Sequence, residues 1–507
     1  MITKIANGTI VDGSTKAPYV GDLYIEGNKI VAGGTPDKVV DATGKLVCPG
    51  FIDAHTHSDA YLVIEPDAPS KISQGITTEI NGQCGGSVAP RYGEARLSSD
   101  WASLLGDKLT WRSLAQYREV LEAAKPAVNT IQFIGHNTLR SSVVGYAGRH
   151  ATSEEQHRME YLLDEAMAEG GWGLTTGLIY QPGKYSTNEE VLALAKVAAK
   201  RGGFYATHMR SEGDKILESI DEVITLAKTT GIKAEISHLK TSGRQNWGKL
   251  DQVFEKIESA MAAGYLLGSD RYPFCASGTD LDVVFPDWAG EGAAKAEIER
   301  LKDSAIRQRI IDEIDAQDRD WSSVMIGGTW HPDTKQFSGR RVSEILGRAG
   351  APRTPGELVC HILALDECRT GAFFFVMSEA NLDKILAKDW IVPGSDASLR
   401  APWGPLGKDY PHPRAYATMP EFYRRTKSIR RMTGLIADRF EIPKRGYLRE
   451  GYFADVLVID EKNFAARATY ENPHQFTTGV EQVFVNGVLT WEQGKLTGER
   501  AGRFLTR

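Results

Sequence analysis

Histidine, cysteine and aspartate residues stand at the ends of short apolar runs in this sequence, and these residue types bind metal ions. His55 and His57 close the stretch VCPGFIDAHTHSD, whose apolar residues predict a buried strand. Residues two apart on a strand point to the same face, so both imidazoles would project together from the strand end. Neutral imidazole is the commonest protein ligand for zinc. The pair therefore predicts half of a metal site.

Five further residues with metal-binding or acid–base side chains follow later apolar runs: Cys84, His208, His238, Asp270 and Asp396. A thiolate and two imidazoles fill three of the four tetrahedral positions of zinc and leave the fourth for water, as in catalytic sites. The alternative for Cys84 is a small buried apolar residue. Glycines on both sides of the Gln-Cys pair weaken that packing role. Metal-assisted hydrolysis is the chemistry that this set predicts.

The elements that would bring these residues together are parallel strands. Between residues 51 and 440, eight short apolar runs alternate with helix-like segments, such as the one that begins near Ser153 as a candidate N-cap. Eight β/α units predict an α/β protein with a (β/α)8 barrel of the TIM type, in which reactive residues lie at the C-terminal ends of the strands. Each residue named above ends or follows one of these strands.

Both ends of the chain have a different pattern. Residues 1–50 and 441–507 show alternating apolar residues around Asn-Gly or Gly-Asn pairs, the composition of two-residue hairpin turns. These pairs predict turns at Asn7-Gly8, Gly27-Asn28 and Asn486-Gly487. The two end segments are expected to meet in one small β-sandwich domain, from which the barrel loops out.

The segment 285–345 does not fit the barrel pattern. It is rich in charged, helix-forming residues and is too long for a loop between strands seven and eight. We expect an inserted helical subdomain that covers the mouth of the barrel. The alternative is a solvated appendage without a role.

Composition excludes several classes of protein. The chain has 507 residues with 60 basic and 66 acidic side chains, a net charge of -6 that lacks the basic footprint of nucleic-acid binders. Its five cysteines are scattered, which favours a reducing compartment. No apolar run reaches the roughly 20 residues of a membrane-spanning helix. We expect a cytoplasmic enzyme without a nucleic-acid or membrane partner, and the sequence is compatible with a homo-oligomer.

The sequence resembles the amidohydrolase superfamily and, within it, the N-acyl-D-amino-acid deacylases (D-aminoacylases). The resemblance extends over nearly the whole chain and is carried by an ordered set of motifs: GFIDAHTHSD, GITTEINGQCGGSVAP, GHNTLR, ATHMRSEGD, ISHLKTSG, PGSDAS and HPRAYATMPEF. The related hydantoinases and dihydroorotases have a carboxylated lysine at the end of strand four. The corresponding run here, WGLTTGLIY, contains no lysine.

The resemblance implies a zinc-dependent enzyme that cleaves N-acyl-D-amino acids to a carboxylate and a free amino acid. It implies one tightly bound zinc ion on Cys84, His208 and His238. His55 and His57 would contribute to a second, weaker metal position. Asp396 would serve as general base and acid.

The resemblance also implies that Lys240, Tyr272 and Ser277 hold the α-carboxylate of the substrate. From the residues alone, Lys240 lies two positions beyond His238 on one predicted strand and shares its face, and an ammonium group suits a carboxylate. Solvated or packing roles are the alternatives for all three. His136 would line the same pocket or make a structural hydrogen bond.

Some positions depart from the family pattern. Phe274 and Cys275 lack the hydroxyl groups common there, and Ala397 replaces a frequent glycine. Arg400 and Trp403 follow on a rim loop, where they would recognise an acidic or aromatic substituent or pack the loop. These changes leave the substrate side chain, the acyl group and the stereochemistry open. The alternatives are an amidohydrolase for another linear or cyclic amide, and a non-catalytic assembly protein that would have lost its metal ligands.

Overall fold

The first strands of the chain belong to a nine-stranded sheet in the computed structural model, which describes residues 1–97, 99–348 and 352–507. They are β1 (Ile2–Ile10), β2 (Tyr19–Glu26), β3 (Lys29–Val31), β4 (Lys38–Asp41) and β5 (Leu46–Pro49). β1 pairs antiparallel with β2 and parallel with both β4 and β5. Their apolar residues face a core that the last strands of the chain also line.

The Asn7-Gly8 pair lies inside β1, so the hairpin turn predicted there is wrong. The register between β1 and β2 shifts at this pair, and Asn7 has a φ of +62°, as in a β-bulge. A Cβ on Gly8 would stand 2.4 Å from Cγ2 of Val47, so β1 requires glycine where it packs on β5. The turn predicted at Gly27-Asn28 does join β2 to β3.

Parallel strands and helices alternate through the centre of the chain, which confirms the predicted α/β class. The strands are β6 (Phe51–Asp53), β7 (Ile76–Asn81), β8 (Asn129–Gln132), β9 (Ile134–Gly135), β10 (Gly173–Gly177), β11 (Phe204–His208), β12 (Lys233–Ile236) and β13 (Leu267–Arg271). Each pairs in parallel with the next, except that Phe133 interrupts β8 and β9. Phe133 continues the pairing with β7, since its N–H donates to the Asn81 carbonyl at 3.0 Å, so β8 and β9 form one interrupted strand.

Nine helices accompany these strands within the described residues: α1 (Tyr61–Ile64), α2 (Pro69–Ile72), α3 (Ser99–Leu105), α4 (Leu114–Ala124), α5 (His136–Val143), α6 (Ser153–Ala168), α7 (Asn188–Lys200), α8 (Ile216–Thr230) and α9 (Leu250–Ala262). The N-cap of α6 is Thr152 rather than Ser153. The Thr152 hydroxyl accepts from the Glu155 N–H, and the Glu155 side chain accepts from the Thr152 N–H, which completes a capping box.

A separate unit follows β13 and is longer than the segment 285–345. It contains β14 (Ser277–Asp280), β15 (Val324–Ile326) and β16 (Gly371–Phe374), paired antiparallel in the order β14-β16-β15. Its helices are α10 (Asp287–Gly290), α11 (Ala293–Lys302), α12 (Ser304–Asp315), α13 (Val342–Leu346) and α14 (Pro355–Leu365), whereas the next helix, α15 (Glu379–Leu386), buries its apolar residues in the main hydrophobic core. The buried residues of the unit form their own hydrophobic cluster, which includes Leu281, Ile310 and Leu358. The insertion therefore has a small sheet in addition to helices.

The chain then returns to the parallel strands with β17 (Ile391–Pro393), which pairs in parallel with β13. The Ala54 N–H, directly after β6, donates to the Pro393 carbonyl at 3.1 Å. Another main-chain bond joins Asp396 N to His55 O at 2.8 Å. Three helices follow: α16 (Arg414–Thr426), α17 (Ile429–Met432) and α18 (Gly434–Arg439).

The last strands complete the nine-stranded sheet. They are β18 (Val456–Ile459), β19 (Val480–Val485), β20 (Val488–Glu492) and β21 (Lys495–Leu496). β18 pairs antiparallel with β5 and so joins the two ends of the chain. The turn predicted at Asn486-Gly487 is confirmed, since both residues have positive φ between β19 and β20. Among the described residues, no helix is long and apolar enough to cross a membrane.

Candidate metal centre and active site

Cys84, His208 and His238 meet at the C-terminal ends of β7, β11 and β12, and we call these three residues the candidate metal centre. The Cys84 sulfur lies 3.7 Å from Nδ1 of His208 and 3.4 Å from Nε2 of His238. With Zn–S near 2.3 Å and Zn–N near 2.0–2.1 Å, tetrahedral sulfur and nitrogen ligands stand about 3.6 Å apart. The donor types and both sulfur–nitrogen separations therefore agree with tetrahedral zinc ligands.

His55, His57 and Asp396 border this centre. Nε2 of His55 is 3.3 Å from the Cys84 sulfur and 3.4 Å from Oδ1 of Asp396. The same carboxylate oxygen is 3.1 Å from Nε2 of His57. Asp396 follows β17, and both histidines that follow β6 contact its carboxylate. Among the described residues, His55, Cys84, His238 and Asp396 present ligand atoms that all lie within 4.8 Å of one another.

Three of these residues have left-handed backbone conformations. The φ angles are +52° at Cys84, +39° at His238 and +47° at Asp396. Non-glycine residues adopt this region at a cost, and such strain collects at functional sites where the surrounding structure fixes it. The chain turns at these positions, and the three side chains contact histidines that follow other strands or, for His238, the Cys84 sulfur.

Electrostatics favour the charged forms of Cys84 and Asp396. Burial opposes ionisation of the Cys84 thiol, but His55 and His238 outweigh it and hold its pKa well below the usual value. Burial likewise opposes ionisation of Asp396, whereas Arg414 and His238 hold the pKa of its carboxyl well below the usual range. A thiolate is the form that binds metal ions, and a carboxylate is the form that accepts a proton.

Glu212 contacts both histidines of the candidate metal centre. Its Oε1 is 2.8 Å from Nδ1 of His238, and its Oε2 is 3.6 Å from Nε2 of His208. These nitrogens are the ones that do not face Cys84. Lys240 also pairs with Glu212, and its Nζ lies 2.8 Å from His238 Nδ1. The Lys240 ammonium is therefore fixed beside the candidate metal centre by Glu212 and His238, and its role towards the substrate carboxylate stays a prediction.

Asp270, at the end of β13, orients two of the histidines. Its Oδ2 is 3.1 Å from Nδ1 of His55, and its Oδ1 accepts from the His238 N–H at 3.0 Å. A carboxylate that holds the second nitrogen of a histidine fixes the tautomer and the ring orientation. Asp270 thus orients the His55 ring and fixes the main chain at His238.

Arg414, at the first residue of α16, was not singled out in the sequence. Its Nη1 is 3.1 Å from Oδ2 of Asp396, and its guanidinium lies 4.6 Å from the ring centre of Tyr272. The Tyr272 hydroxyl and the Arg414 Nε are buried and find no hydrogen-bond partner among the described residues. Buried polar atoms without a partner are costly, so these donors are suited to a ligand. Ser277 opens β14, and Arg414 Nη2 donates to the carbonyl of its neighbour Gly278 at 3.4 Å.

His136 and Arg400 are held by other protein groups. His136 is fully buried, with its Nε2 2.8 Å from Oε1 of Glu190, which corresponds to the structural hydrogen bond of the two predicted roles. Arg400 pairs with Asp409 at 3.1 Å and lies 4.7 Å from the ring centre of Tyr61. These contacts agree with the loop-packing alternative for Arg400, and its role towards a substrate stays a prediction.

Glu212, Arg414 and Tyr180 are the functional candidates that the sequence did not suggest. The Tyr180 ring stands 4.8 Å from that of His208, in the loop after β10. Glu212 lies four residues after His208 in ATHMRSEGD, and Arg414 lies in HPRAYATMPEF, so both belong to motifs that had been noted as a whole. In the sequence, Glu212 is an acidic residue near the metal ligand His208, and Arg414 is a basic residue near a helix start. Neither position has a spacing that identifies the residue it contacts.

Comparison with known proteins gives a consistent result. Residues 38–491 match the amidohydrolase family. A D-aminoacylase from Alcaligenes xylosoxydans xylosoxydans is 34% identical over 99% of this chain and 97% of its own length. An N-acyl-D-aspartate deacylase from the same organism is 32% identical over 99% of this chain and 94% of its own. The solved N-acyl-D-glutamate deacylase of Bordetella bronchiseptica, complexed with zinc and a phosphonate mimic of the tetrahedral intermediate, superimposes with a TM-score of 0.83 at 30% identity, over 100% of this chain and 99% of that chain.

Proposed function

The chain belongs to the amidohydrolase family and within it to the N-acyl-D-amino-acid deacylases, and we propose that it is a zinc-dependent hydrolase of N-acyl-D-amino acids. The products are a carboxylate and a free amino acid. The observation that carries the proposal is the contact of Asp396 with His55 and His57 directly beside Cys84, His208 and His238. That arrangement combines three zinc ligands with an adjacent acid–base group.

The fold that supports this chemistry is a (β/α)8 barrel over residues 51–440. Parallel pairing of β6 to β13 and β17, with the Ala54-to-Pro393 bond between its ends, supports a closed ring of eight strands. The nine-stranded sheet supports a β-sandwich domain formed by residues 1–50 and 441–507. The insertion after β13 spans more than 285–345, and its Asp287 pairs with Lys184 near the barrel mouth at 3.2 Å.

Cys84, His208 and His238 are the ligands of the tightly bound zinc ion. Thiolate with imidazole favours zinc over hard cations, and the 3.4 and 3.7 Å donor separations agree with tetrahedral coordination. His55 and His57, together with Asp396, are suited to a second and weaker metal position. When bound, zinc lowers the pKa of coordinated water and polarises an amide carbonyl.

Asp396 is the general base and acid. Its ionised carboxylate takes a proton from the water that attacks the acyl carbon. It then donates that proton to the nitrogen of the departing amino acid, since an amide nitrogen leaves readily only when protonated. Arg414 and His57 each contact one of its oxygens, so the carboxylate is held in one orientation during both transfers.

Arg414, Tyr272 and Ser277 bind the α-carboxylate of the substrate. The unpartnered Tyr272 hydroxyl and Arg414 Nε supply buried donors, and the Arg271 guanidinium, 4.0 Å from the centre of the Tyr272 ring, adds positive charge. Arginine suits carboxylates because its donors can bind both oxygens. Lys240, which the sequence suggested for this role, contributes its charge from beside Glu212.

The experiment that tests this function measures metal content and turnover on the same preparation. We expect about one equivalent of zinc per chain and hydrolysis of N-acetyl-D-amino acids, with little turnover of the matched N-acetyl-L series. A panel of acidic, aromatic and aliphatic side chains then defines the preferred substrate. If the protein contains zinc but hydrolyses neither series, the proposed substrate class is wrong. If the protein binds no zinc, the proposed metal centre is wrong.

A further inference from the structure

Lys71, on the short helix α2, is a lysine with no exposed surface. Its Nζ lies 3.0 Å from Oδ2 of Asp53 and 3.0 Å from Oε1 of Glu79. The carboxylates come from β6 and β7, the strands that carry the histidine pair and lead to Cys84. A buried ammonium of this kind requires charged and hydrogen-bonded partners on every side.

The other two partners of Lys71 flank Asp396. Its Nζ is 3.1 Å from Oγ of Ser395 and 3.1 Å from the carbonyl oxygen of Ala397. Asp53 contributes from the same side, since its Oδ1 accepts from the Ser395 N–H at 2.8 Å. One ammonium therefore contacts the residues directly before and after the acid–base carboxylate.

The backbone between these contacts is in an unfavourable conformation. Asp396 has a φ of +47°, a region that residues other than glycine seldom occupy. Such a conformation persists only where neighbouring contacts determine it. On one side the Asp396 N–H donates to the His55 carbonyl at 2.8 Å, and on the other Lys71 holds the Ala397 carbonyl.

We propose that Lys71 is a positioning residue that holds the Asp396 loop, through Ser395 and Ala397, in the conformation that presents the Asp396 carboxylate to the substrate. The inference rests on the role of Asp396 in the proposed function. Lys71 itself does not reach the reacting atoms. It ties the loop after β17 to β6 and β7, so the carboxylate keeps its distance from the metal ligands on those strands.

Two variants test this inference. Lys71→Met removes the ammonium and leaves a side chain of similar length, and Ser395→Ala removes only one hydroxyl partner and changes no charge. Because misplacement by about 1 Å lowers turnover about 100-fold, we expect Lys71→Met to lower kcat by about that factor. KM and zinc content are expected to stay at the wild-type values. Ser395→Ala is expected to lower kcat by a smaller factor in the same way.

Arg445→Met is the matched control, since Arg445 is also buried and paired with a buried carboxylate, that of Asp455. It lies in the loop before β18 and contacts neither Asp396 nor its neighbours in the described structure. We expect Arg445→Met to reduce the melting temperature while kcat stays unchanged. If Arg445→Met lost as much kcat as Lys71→Met, breaking any buried ion pair would be sufficient to lower kcat. That result would overturn the inference.

A crystal structure of the Lys71→Met protein provides the readout that does not depend on substrate. We expect the Asp396 carboxylate to leave His57 and Arg414, from which it now stands 3.1 Å. An unmoved Asp396, or a folded variant with wild-type kcat, would overturn the inference. If Lys71→Met does not fold, the same two criteria apply to Ser395→Ala. If the wild type hydrolyses no N-acyl-D-amino acid, the proposed substrate fails while the position of Asp396 still decides this inference.

Discussion

The carboxylate of Glu212 lies 2.8 Å from Nδ1 of His238, the imidazole nitrogen opposite the one that faces Cys84. The same carboxylate reaches the outward nitrogen of His208 at 3.6 Å. Glu212 thereby orients the His238 imidazole by a hydrogen bond and adds negative charge beside His208, whose Nε2 has no hydrogen-bond partner among the described residues. Partners of this kind fix the tautomer of a metal-binding histidine and raise its basicity.

Glu212→Gln is expected to weaken zinc binding by about 10- to 100-fold, because the amide is a weaker acceptor for the histidine N–H groups. The measurement is a zinc titration of the apoprotein in competition with a chelator. Glu222→Gln is the control, since Glu222 lies on α8 and pairs with Arg210, at 3.4 Å, away from the candidate metal centre. Equal zinc affinities for Glu212→Gln and wild type would contradict this orienting role.

Asp396→Asn is expected to keep the zinc content and to lower kcat by about 10²- to 10⁴-fold, the usual contribution of a general acid–base group. The amide of asparagine accepts no proton from the attacking water. Zinc content is measured by elemental analysis alongside the rate for the best N-acetyl-D-amino acid. Substantial remaining turnover in a zinc-loaded Asp396→Asn protein would assign the proton transfer to another residue.

Arg414→Met is expected to remove the preference for substrates with a free carboxylate. In the wild type, kcat/KM for an N-acetyl-D-amino acid should exceed that for its primary amide. Loss of a charge-assisted hydrogen bond should reduce this ratio about 10- to 100-fold. The ratio is informative because Arg414 also contacts Asp396, and that effect is common to both substrates. An unchanged ratio would show that Arg414 does not bind the substrate carboxylate.

Glu297 gives the inserted unit a pH-dependent stability. Burial is the main cause that raises the pKa of its carboxyl to about 7. Asp280 also raises this pKa, whereas hydrogen bonds with Asp282 and Cys368 and the charge of Arg300 lower it. Because this pKa exceeds the ordinary value of about 4.5, the contribution of Glu297 is complete at low pH and is lost as the pH rises through 7.

The melting temperature should therefore fall between about pH 4.5 and pH 7, with up to about 1.4 kcal/mol lost per pH unit from this group, and this contribution should level off above pH 7. Glu297→Gln, which stays neutral, should flatten that dependence, as followed by calorimetry at a series of pH values. Glu313→Gln on α12 is the control, since the pKa of that carboxyl is lowered, first by a hydrogen bond from Trp288. A steep pH dependence that persists in Glu297→Gln would assign it to other groups.

The sequence was most informative where chemistry and periodicity coincide. His55 and His57 are two apart just after an apolar run, and the sequence predicts that they point the same way. The structure brings both to Asp396, although β6 itself ends at Asp53. The α/β class follows from the alternation of apolar runs and helical segments in the same way. Both inferences use local rules that the rest of the chain does not override.

Other features depend on contacts that no local pattern encodes. Asn-Gly is suited to a hairpin turn and to a bulge because both need positive φ, and only the packing of Gly8 on Val47 decides between them. Lys71 is a polar residue on a short helix, and its complete burial becomes visible only when β6, β7 and the Asp396 loop surround it. Nothing in the local sequence indicates that Arg400 pairs with Asp409, which lies 3.1 Å from it in the structure.

The pairing of β5 with β18 has a consequence for protein synthesis. Leu46 faces Ile459 across these two strands, so the partner of β5 leaves the ribosome about 400 residues later, after about 20 to 80 s at ordinary translation rates. During that interval the apolar residues of β5 and one of its edges have no final partner. Nascent chains arrested before β18 should therefore recruit chaperones or aggregate, and the release of complete chains should end that vulnerability.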